Sequence, residues 1–329
     1  MTGAADNISR WCEVAFAMKE LDVHNELLGN HDELERVYRE EGYLFFRDVL
    51  DHDAVEAVRA RYLSILVDDY GVVDPGHTEP IWNGKDVSDF PVKVPEIYGS
   101  GCWEEFTANP RIHAFFEEVV GEPISWVPST EYRLNPPVAE EPEDFVAGRH
   151  QDGFFNEGIP FRTCWLPFTD IDFACGGVAI APGISKHGYL HDWNSPPKYA
   201  IPAGAVPDSA WARPSVYHPG DALIFSEATP HSGLRNRSDR FRLSMDIRMS
   251  PKSAPQPVVG VLSAVTSDSI TLDTAEGPVT LIVDDRSYLR LKDGAQLPRE
   301  RMREYLELGE KMMAGRNGDR ALVVRPQKG

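Results

Sequence analysis

Apolar residues recur at helical spacing through the first third of the chain and alternate with polar ones through the middle. In residues 32–41 the positions Leu34, Val37 and Tyr38 predict a helix capped by Asp32 and stopped at Gly42, with Tyr43–Phe46 following as a short buried strand. Val55, Val58, Tyr62, Ile65 and Leu66 form one face of a second helix, capped by Asp51 or Asp53. Pro110 to Val120 predicts another, ended by Gly121. Residues 71–103, rich in Gly and Pro and carrying Trp82, read as a long loop, a kind of segment that is often functional inside a compact domain.

From about residue 124 the period changes to short β runs separated by turn residues, the pattern of a sandwich or barrel. The predicted strands are Ser125–Leu134, Arg162–Phe168, Gly177–Ala181, Ala222–Phe225 and Phe241–Met249, with Pro219-Gly220-Asp221 as a turn whose Pro presets φ and whose Gly accepts positive φ. After Pro257 come three more β runs, Val258–Val265, Ser269–Leu272 and Val279–Val283, then a charged helix over Glu300–Met313. The expected class is mainly β with flanking helices. Residues 1–123 supply helical segments that pack on a core, 124–256 the β core, and 257–329 a β/helix appendage used for packing or a dimer contact, all within a single catalytic domain.

Composition narrows the function. With 42% hydrophobic and 10% aromatic residues, 329 residues can bury a full core, which excludes disorder, collagen-like repeats and disulfide scaffolds. The 33 Lys and Arg against 52 Asp and Glu leave a formal charge of −19, which weighs against nucleic acid or an anionic membrane as partner. A cationic or neutral small molecule suits that balance better; plain solubility is the simpler account. Cys12, Cys102, Cys164 and Cys175 show no CxxC spacing, so buried free thiols are expected. The opening MTGAADNISR lacks a basic n-region, and no run approaches the roughly 20 apolar residues of a membrane span. The expectation is a reduced, cytoplasmic, soluble protein, monomeric or homodimeric.

Two imidazoles and one carboxylate hold Fe(II) while leaving coordination positions open. Residues i and i+2 of a strand share a face, so His150-x-Asp152 would deliver two such ligands together. His-x-acid spacing also occurs at His24, His31 and His77, but the first two pairs sit in helical stretches, where i and i+2 diverge by about 200°, and the third sits in the Pro/Gly loop. His231, after the turn and the Ala222–Phe225 run, is the candidate third ligand. Eleven residues on, Arg242 and Ser244 alternate onto one face, where a guanidinium and a hydroxyl suit one carboxylate of a small diacid. Iron beside a carboxylate receptor points to 2-oxoglutarate.

At this point the chain resembles the phytanoyl-CoA dioxygenase-like family of Fe(II)/2-oxoglutarate oxygenases over about residues 32–250. The matching segments, in order, are Glu41-Gly-Tyr-Leu-Phe-Phe-Arg-Asp-Val-Leu-Asp, Asn109-Pro-Arg-Ile, Val120-Gly-Glu-Pro, His150-Gln-Asp-Gly, Thr163-Cys-Trp-Leu-Pro-Phe-Thr-Asp, Gly176-Gly-Val-Ala-Ile-Ala-Pro-Gly-Ile-Ser-Lys-His-Gly, Pro219-Gly-Asp, His231 and Arg242. The resemblance implies a double-stranded β-helix (jelly roll, cupin-like) in 124–256. It implies Fe(II) on His150, Asp152 and His231, O2 as co-reactant, and Arg242 on the distal carboxylate of 2-oxoglutarate with Ser244 beside it. Thr163 and Trp165 would line the cosubstrate pocket, ordinary barrel core being the alternative. Asn135 stands where the family often has Lys; with Arg133, Trp82 and Phe154 it is a candidate to face the substrate. Asp152 argues against the halogenating relatives, which carry a small residue there.

The expected activity is oxidation, by hydroxylation, oxidative cyclisation or desaturation, of a polar and cationic or neutral small molecule. An amino acid derivative, an aminocyclitol or a sugar-containing natural product of secondary metabolism would qualify. Residues 71–103 and 136–148 are expected to cover it, and the Glu140, Glu141, Glu143, Asp144 run reads either as a solvated loop or as a funnel for an amine. A polyanionic CoA thioester fits the charge less well. The alternative is a non-oxidative cupin-type metal enzyme or binding protein, which has no need of Arg242.

Overall fold

A computed structural model describes residues 18–138, 148–192, 200–202, 204–292 and 295–327. Helix α1 (His31–Glu41) is capped by Asn30, whose side chain accepts from the Glu33 amide, and not by the predicted Asp32; Gly42 ends it at φ 79°. Helix α2 (His52–Ser64) is capped by Asp51. The predicted loop 71–103 contains a short helix α3 (Pro95–Tyr98) and runs into α4 (Cys102–Ala108). Helix α5 (Pro110–Val120) is capped by Asn109 and closed by Gly121 at φ 78°.

The strands are β1 (Tyr43–Phe46), β2 (Ile124–Asn135), β3 (Arg162–Pro167), β4 (Gly177–Ile180), β5 (Ala222–Ser226), β6 (His231–Leu234) and β7 (Arg242–Pro251). Five of them form a sheet in the order β1-β5-β3-β7-β2, antiparallel throughout. Facing it are β4 and β6, widened by single bridges from His150 to His231 and from Ile180 to Ala212. Two sheets from one winding chain make the double-stranded β-helix. The N-terminal segment thus supplies β1 to the main sheet as well as helices to its back.

Alternation sorts the main sheet's side chains. Leu243, Met245, Ile247 and Met249 of β7, with Cys164 and Leu166 of β3, pack outward into a large core against the helices, including Leu34, Tyr62 and Phe116. The inward face divides in two. One half is apolar, built from Phe45, Trp165, Tyr217, Leu223 and Phe225 with Val178 and Ile180. The other half is polar, because the inward residues of β7 are Arg242, Ser244, Asp246 and Arg248, all buried.

The chain beyond residue 257 builds a third sheet of β8 (Val258–Val265), β9 (Ser269–Thr274), β10 (Gly277–Ile282), β11 (Tyr288–Leu289), β12 (Lys311–Asn317) and β13 (Arg320–Pro326), in the order β10-β9-β8-β12-β13-β11. A parallel bridge from Ile282 to Arg320 joins β10 to β13 and closes it into a small barrel. The charged helix expected over 300–313 is cut short: only Arg299–Tyr305 is helical (3-10, then α6, Met302–Tyr305), and Lys311–Asn317 is β12, paired on both sides with β8 and β13. Two-sided pairing there overrides local helix propensity.

Candidate metal centre

His150, Asp152 and His231 converge, with one donor atom from each lying within 4.8 Å of the others. His231 opens β6, and its backbone exchanges two hydrogen bonds with His150, N–H to O at 2.9 Å and back at 3.1 Å. That bridge sets the imidazoles side by side, ring centroids 4.3 Å apart. Asp152 is not on a strand with His150 as the i, i+2 argument supposed; it begins a 3-10 turn, Asp152–Phe155. The turn still swings its carboxylate inward, with Oδ1 at 3.7 Å from Nε2 of each histidine.

The outer atoms of all three groups are occupied, which aims the inner ones. His150 Nδ1 lies 3.0 Å from Gly148 O, and His231 Nδ1 lies 3.0 Å from Thr229 O. A donor at each Nδ1 puts the lone pair on Nε2, the tautomer a metal needs. Asp152 Oδ2 accepts from Arg248 Nη2 at 2.8 Å and from Thr163 Oγ1 at 3.0 Å. The guanidinium of Arg248, which also hydrogen-bonds to it, holds Asp152 well below the usual carboxylate range, against its burial. Burial, with His231 alongside, pushes His150 down to about 4, and burial lowers His231 as well. The site is therefore two neutral imidazoles and one carboxylate, deprotonated before any ion arrives. An ion about 2 Å from each donor fits between atoms so spaced, and the N2O set suits Fe(II).

Around these donors lies a cavity whose lining includes Arg133, Asn135, Thr163, Trp165, Arg242 and Asp246. Arg242 is 4% exposed. Nη1 donates to Gly177 O and Leu234 O, at 3.0 and 2.7 Å, and Nη2 to Asn135 Oδ1 at 2.9 Å. Gly176 and Gly177 take φ 88° and 96° at this point of the chain, and a Cβ on Gly176 would lie 2.5 Å from Arg235 O. Among the described residues no carboxylate pairs with Arg242, its Nε has no partner, and burial brings it down to about 10. A buried guanidinium held only by neutral oxygens calls for an anion, and the chemistry of one end of 2-oxoglutarate answers it.

Of the other residues singled out from the sequence, Thr163 and Trp165 line the cavity, Thr163 as a partner of Asp152. Asn135 braces Arg242, and Arg133 lines the cavity with Nη2 on Asp246 Oδ2 at 3.0 Å. Ser244 shares their face but is not part of the lining; its hydroxyl is buried without a partner. Phe154 points away, stacked on His191 with centroids 4.1 Å apart. Trp82 packs on the outer core and donates to Lys85 O at 2.7 Å. Among the described residues, none from 71–103 lines the cavity; Phe90 of that segment packs on Phe241 on the sheet's outer side. Glu140, Glu141, Glu143 and Asp144 lie outside the described residues.

Sequence reasoning missed Arg248 and Asp246. The signal was present: the alternation that selected Arg242 and Ser244 continues two steps further along β7. A larger depression, lined by Trp103, His113 and Trp126, lies on the outer surface and holds no cluster of metal-binding groups among the described residues. Cys102, Cys164 and Cys175 are free and buried, and no helix among the described residues is long and apolar enough to cross a membrane.

Comparison with known proteins adds the following. The phytanoyl-CoA dioxygenase (PhyH) family pattern matches residues 38–244, which excludes Arg248 and the C-terminal barrel. The 1-deoxypentalenic acid 11-beta-hydroxylase of Streptomyces exfoliatus is 27% identical over 276 residues, 75% of this chain and 95% of that protein. Its Streptomyces arenae counterpart is 28% identical over 246 residues, 69% and 84% respectively. Among solved structures, the epimerase SnoN in complex with Fe3+, alpha ketoglutarate and nogalamycin RO aligns at TM-score 0.47 and 22% identity, over 69% of this chain and 87% of its own. EvdO2 from Micromonospora carbonacea var. aurantiaca, complexed with 2-oxoglutarate, aligns at 0.45 and 19%, over 69% and 95%.

Proposed function

The chain belongs to the phytanoyl-CoA dioxygenase family and is an Fe(II)/2-oxoglutarate-dependent oxygenase, and from that premise we propose that it hydroxylates an unactivated carbon of a small secondary metabolite bearing a carboxylate. His150, Asp152 and His231 hold the iron in this reading, and Arg242, braced by Asn135, Gly177 O and Leu234 O, takes the distal carboxylate of 2-oxoglutarate. When bound, iron supplies O2 activation coupled to oxidative decarboxylation of 2-oxoglutarate to succinate.

The chain's own groups hold, orient and dry the site. Arg248 and Thr163 keep one carboxylate oxygen of Asp152 occupied, so only the other is free to bind metal. Trp165, Val178 and Phe225 form an apolar wall beside the donors, the Phe225 ring 4.6 Å from that of His231. Such a wall excludes water from the reacting centre and strengthens every charge interaction inside it.

The overall charge of −19 favours a cationic or neutral polar substrate, but the described lining weighs more because it is local. Arg133, Arg242 and Arg248 face only Asp152 and Asp246. With metal and 2-oxoglutarate added the cavity remains net positive in formal charge, so it accepts a further anion more readily than a cation. An amino acid derivative fits both considerations; an aminocyclitol does not. The relatives named for 1-deoxypentalenic acid are consistent with a carboxylate.

The single observation that carries the reading is the convergence of the three donors beside a buried arginine that, among the described residues, has no carboxylate partner. It is tested by incubating the anaerobically iron-loaded enzyme with 2-oxoglutarate, O2 and a panel of carboxylic acids and their amides, measuring succinate and hydroxylated product. Succinate stimulated by an acid and not by its amide supports it. Unchanged succinate formation in His150→Ala would remove the iron assignment. A product made without consumption of 2-oxoglutarate would favour a non-oxidative cupin-type enzyme.

A further inference from the structure

The barrel formed by β8–β13 lies beyond the family match, yet it packs against the segment that carries Asp152. Val127, Phe154, Ile159 and Phe161 share one buried cluster with Tyr288, Met313 and Val323 of the barrel. The two backbones touch: a Cβ on Gly158 would lie 2.9 Å from Arg316 N, and one on Gly315 would lie 2.3 Å from Glu157 O. Glycine at both places is what allows the approach.

At this contact Arg325 of β13 donates through Nη1 to Asn156 Oδ1, and Asn156 Nδ2 donates to the backbone O of Asp152 at 2.7 Å. Asn156 and Arg325 are both nearly sealed from solvent, 5% and 4% exposed. The donor on one side and the acceptor on the other fix which way the amide points. Among the described residues no carboxylate pairs with Arg325, so a buried cation is spent on holding one amide, a costly arrangement for surface packing alone. Asp152 is thereby secured twice, its carboxylate by Arg248 and Thr163 from inside the β-helix and its backbone by Asn156 and Arg325 from the C-terminal barrel.

We propose that Asn156 and Arg325 are positioning residues of the metal centre, through which the C-terminal barrel sets the turn that presents Asp152 to the ion. This rests on His150, Asp152 and His231 being the metal ligands. Neither residue touches metal or substrate; both act through the Asp152 backbone, and loss of such outer support lowers metal affinity by about 10- to 100-fold in known sites.

The test uses the full chain, titrated anaerobically with Fe(II) and separately with Co(II), whose visible absorption reports ligand geometry. Asn156→Ala, Arg325→Met, Arg325→Lys and His150→Ala are compared, and thermal melting of each metal-free variant is recorded. The expected result is a 10- to 100-fold weaker metal affinity and an altered Co(II) spectrum in Asn156→Ala and Arg325→Met, partial recovery in Arg325→Lys, and no specific site in His150→Ala. Wild-type affinity and spectrum in a folded Asn156→Ala, with His150→Ala inactive in binding, overturn the positioning role and leave the ligands intact. Wild-type affinity in His150→Ala overturns the ligand assignment itself. Should Arg325→Met not fold, Asn156→Ala, which retains the charge, decides the matter.

Discussion

Arg248 Nη2 sits 2.8 Å from Asp152 Oδ2 in the buried interior, and this pairing leaves Oδ1 of the same carboxylate facing the two histidines at 3.7 Å each. Arg248, with Thr163 on the same oxygen, thus decides which oxygen of Asp152 is available. Removing it strands a carboxylate in a site with two neutral imidazoles.

Arg248→Met is expected to destabilise the metal-free protein by about 3–5 kcal/mol, the usual cost of breaking one side of a buried ion pair. Bound metal replaces the lost positive charge, so the deficit shrinks when the ion is present. Denaturant unfolding with and without Mn(II) measures both; equal deficits in the two states would contradict this account.

Arg242→Gln is expected to weaken 2-oxoglutarate binding by roughly 10- to 100-fold, the range for losing hydrogen bonds to a charged group. Metal affinity stays near wild type, because Arg242 contacts Asn135, Gly177 and Leu234 and none of the three metal donors. Equilibrium titrations of metal and of 2-oxoglutarate separate the two effects. A joint loss would show that the arginine supports the fold of the site as a whole.

Arg133→Gln discriminates substrate charge. For a carboxylate substrate KM rises about tenfold or more while KM for 2-oxoglutarate holds, since one charge-assisted hydrogen bond is lost. An amine-bearing substrate would give the reverse, with KM lowered by Arg133→Gln and raised by neutralising Glu140, Glu141, Glu143 and Asp144. Steady-state kinetics on the two sets of variants reads the answer directly.

Acid is expected to unfold the metal-free protein early. Burial holds His24, His150 and His231 below the ordinary value of 6.5, His150 at about 4. His24 Nδ1 accepts from the Phe45 amide at 3.1 Å, which also requires the neutral ring. A group with a lowered folded pKa lets the unfolded chain bind protons first, so its stabilisation is complete above pH 6.5 and diminishes below it, by up to about 1.4 kcal/mol per pH unit for each group. The melting temperature should fall between pH 7.5 and 5, less steeply in His24→Gln. A flat profile would rule out neutral buried histidines.

Local signals in the chain were legible where one residue's own neighbours decide its conformation. Gly42 and Gly121 ended their helices as expected, and the main strands began and ended within a few residues of the alternating runs. The helix cap is Asn30 and not Asp32: an Asx side chain at either place can cap a first turn, and here the helix starts one residue before Asp32, at His31. The short β6 and the strands β12 and β13 were missed: β6 is held by β4 and β12 by β8, partners distant in sequence, although β12 and β13 also pair locally with each other.

Residue identity, spacing and alternation singled out His150, Asp152, His231 and Arg242 as the chemical candidates and placed Arg242 and Ser244 on one face, a pattern that Asp246 and Arg248 continue. Only the tertiary structure decided how they work together. Asp152 takes its side-chain partners from Thr163, 11 positions on, and Arg248, 96 positions on, while Arg325 reaches its turn across 169 positions through Asn156. Hydrogen bonds and charge act through distance in space, and the winding of the β-helix and the docking of the C-terminal barrel set those distances. No spacing along the chain encodes them.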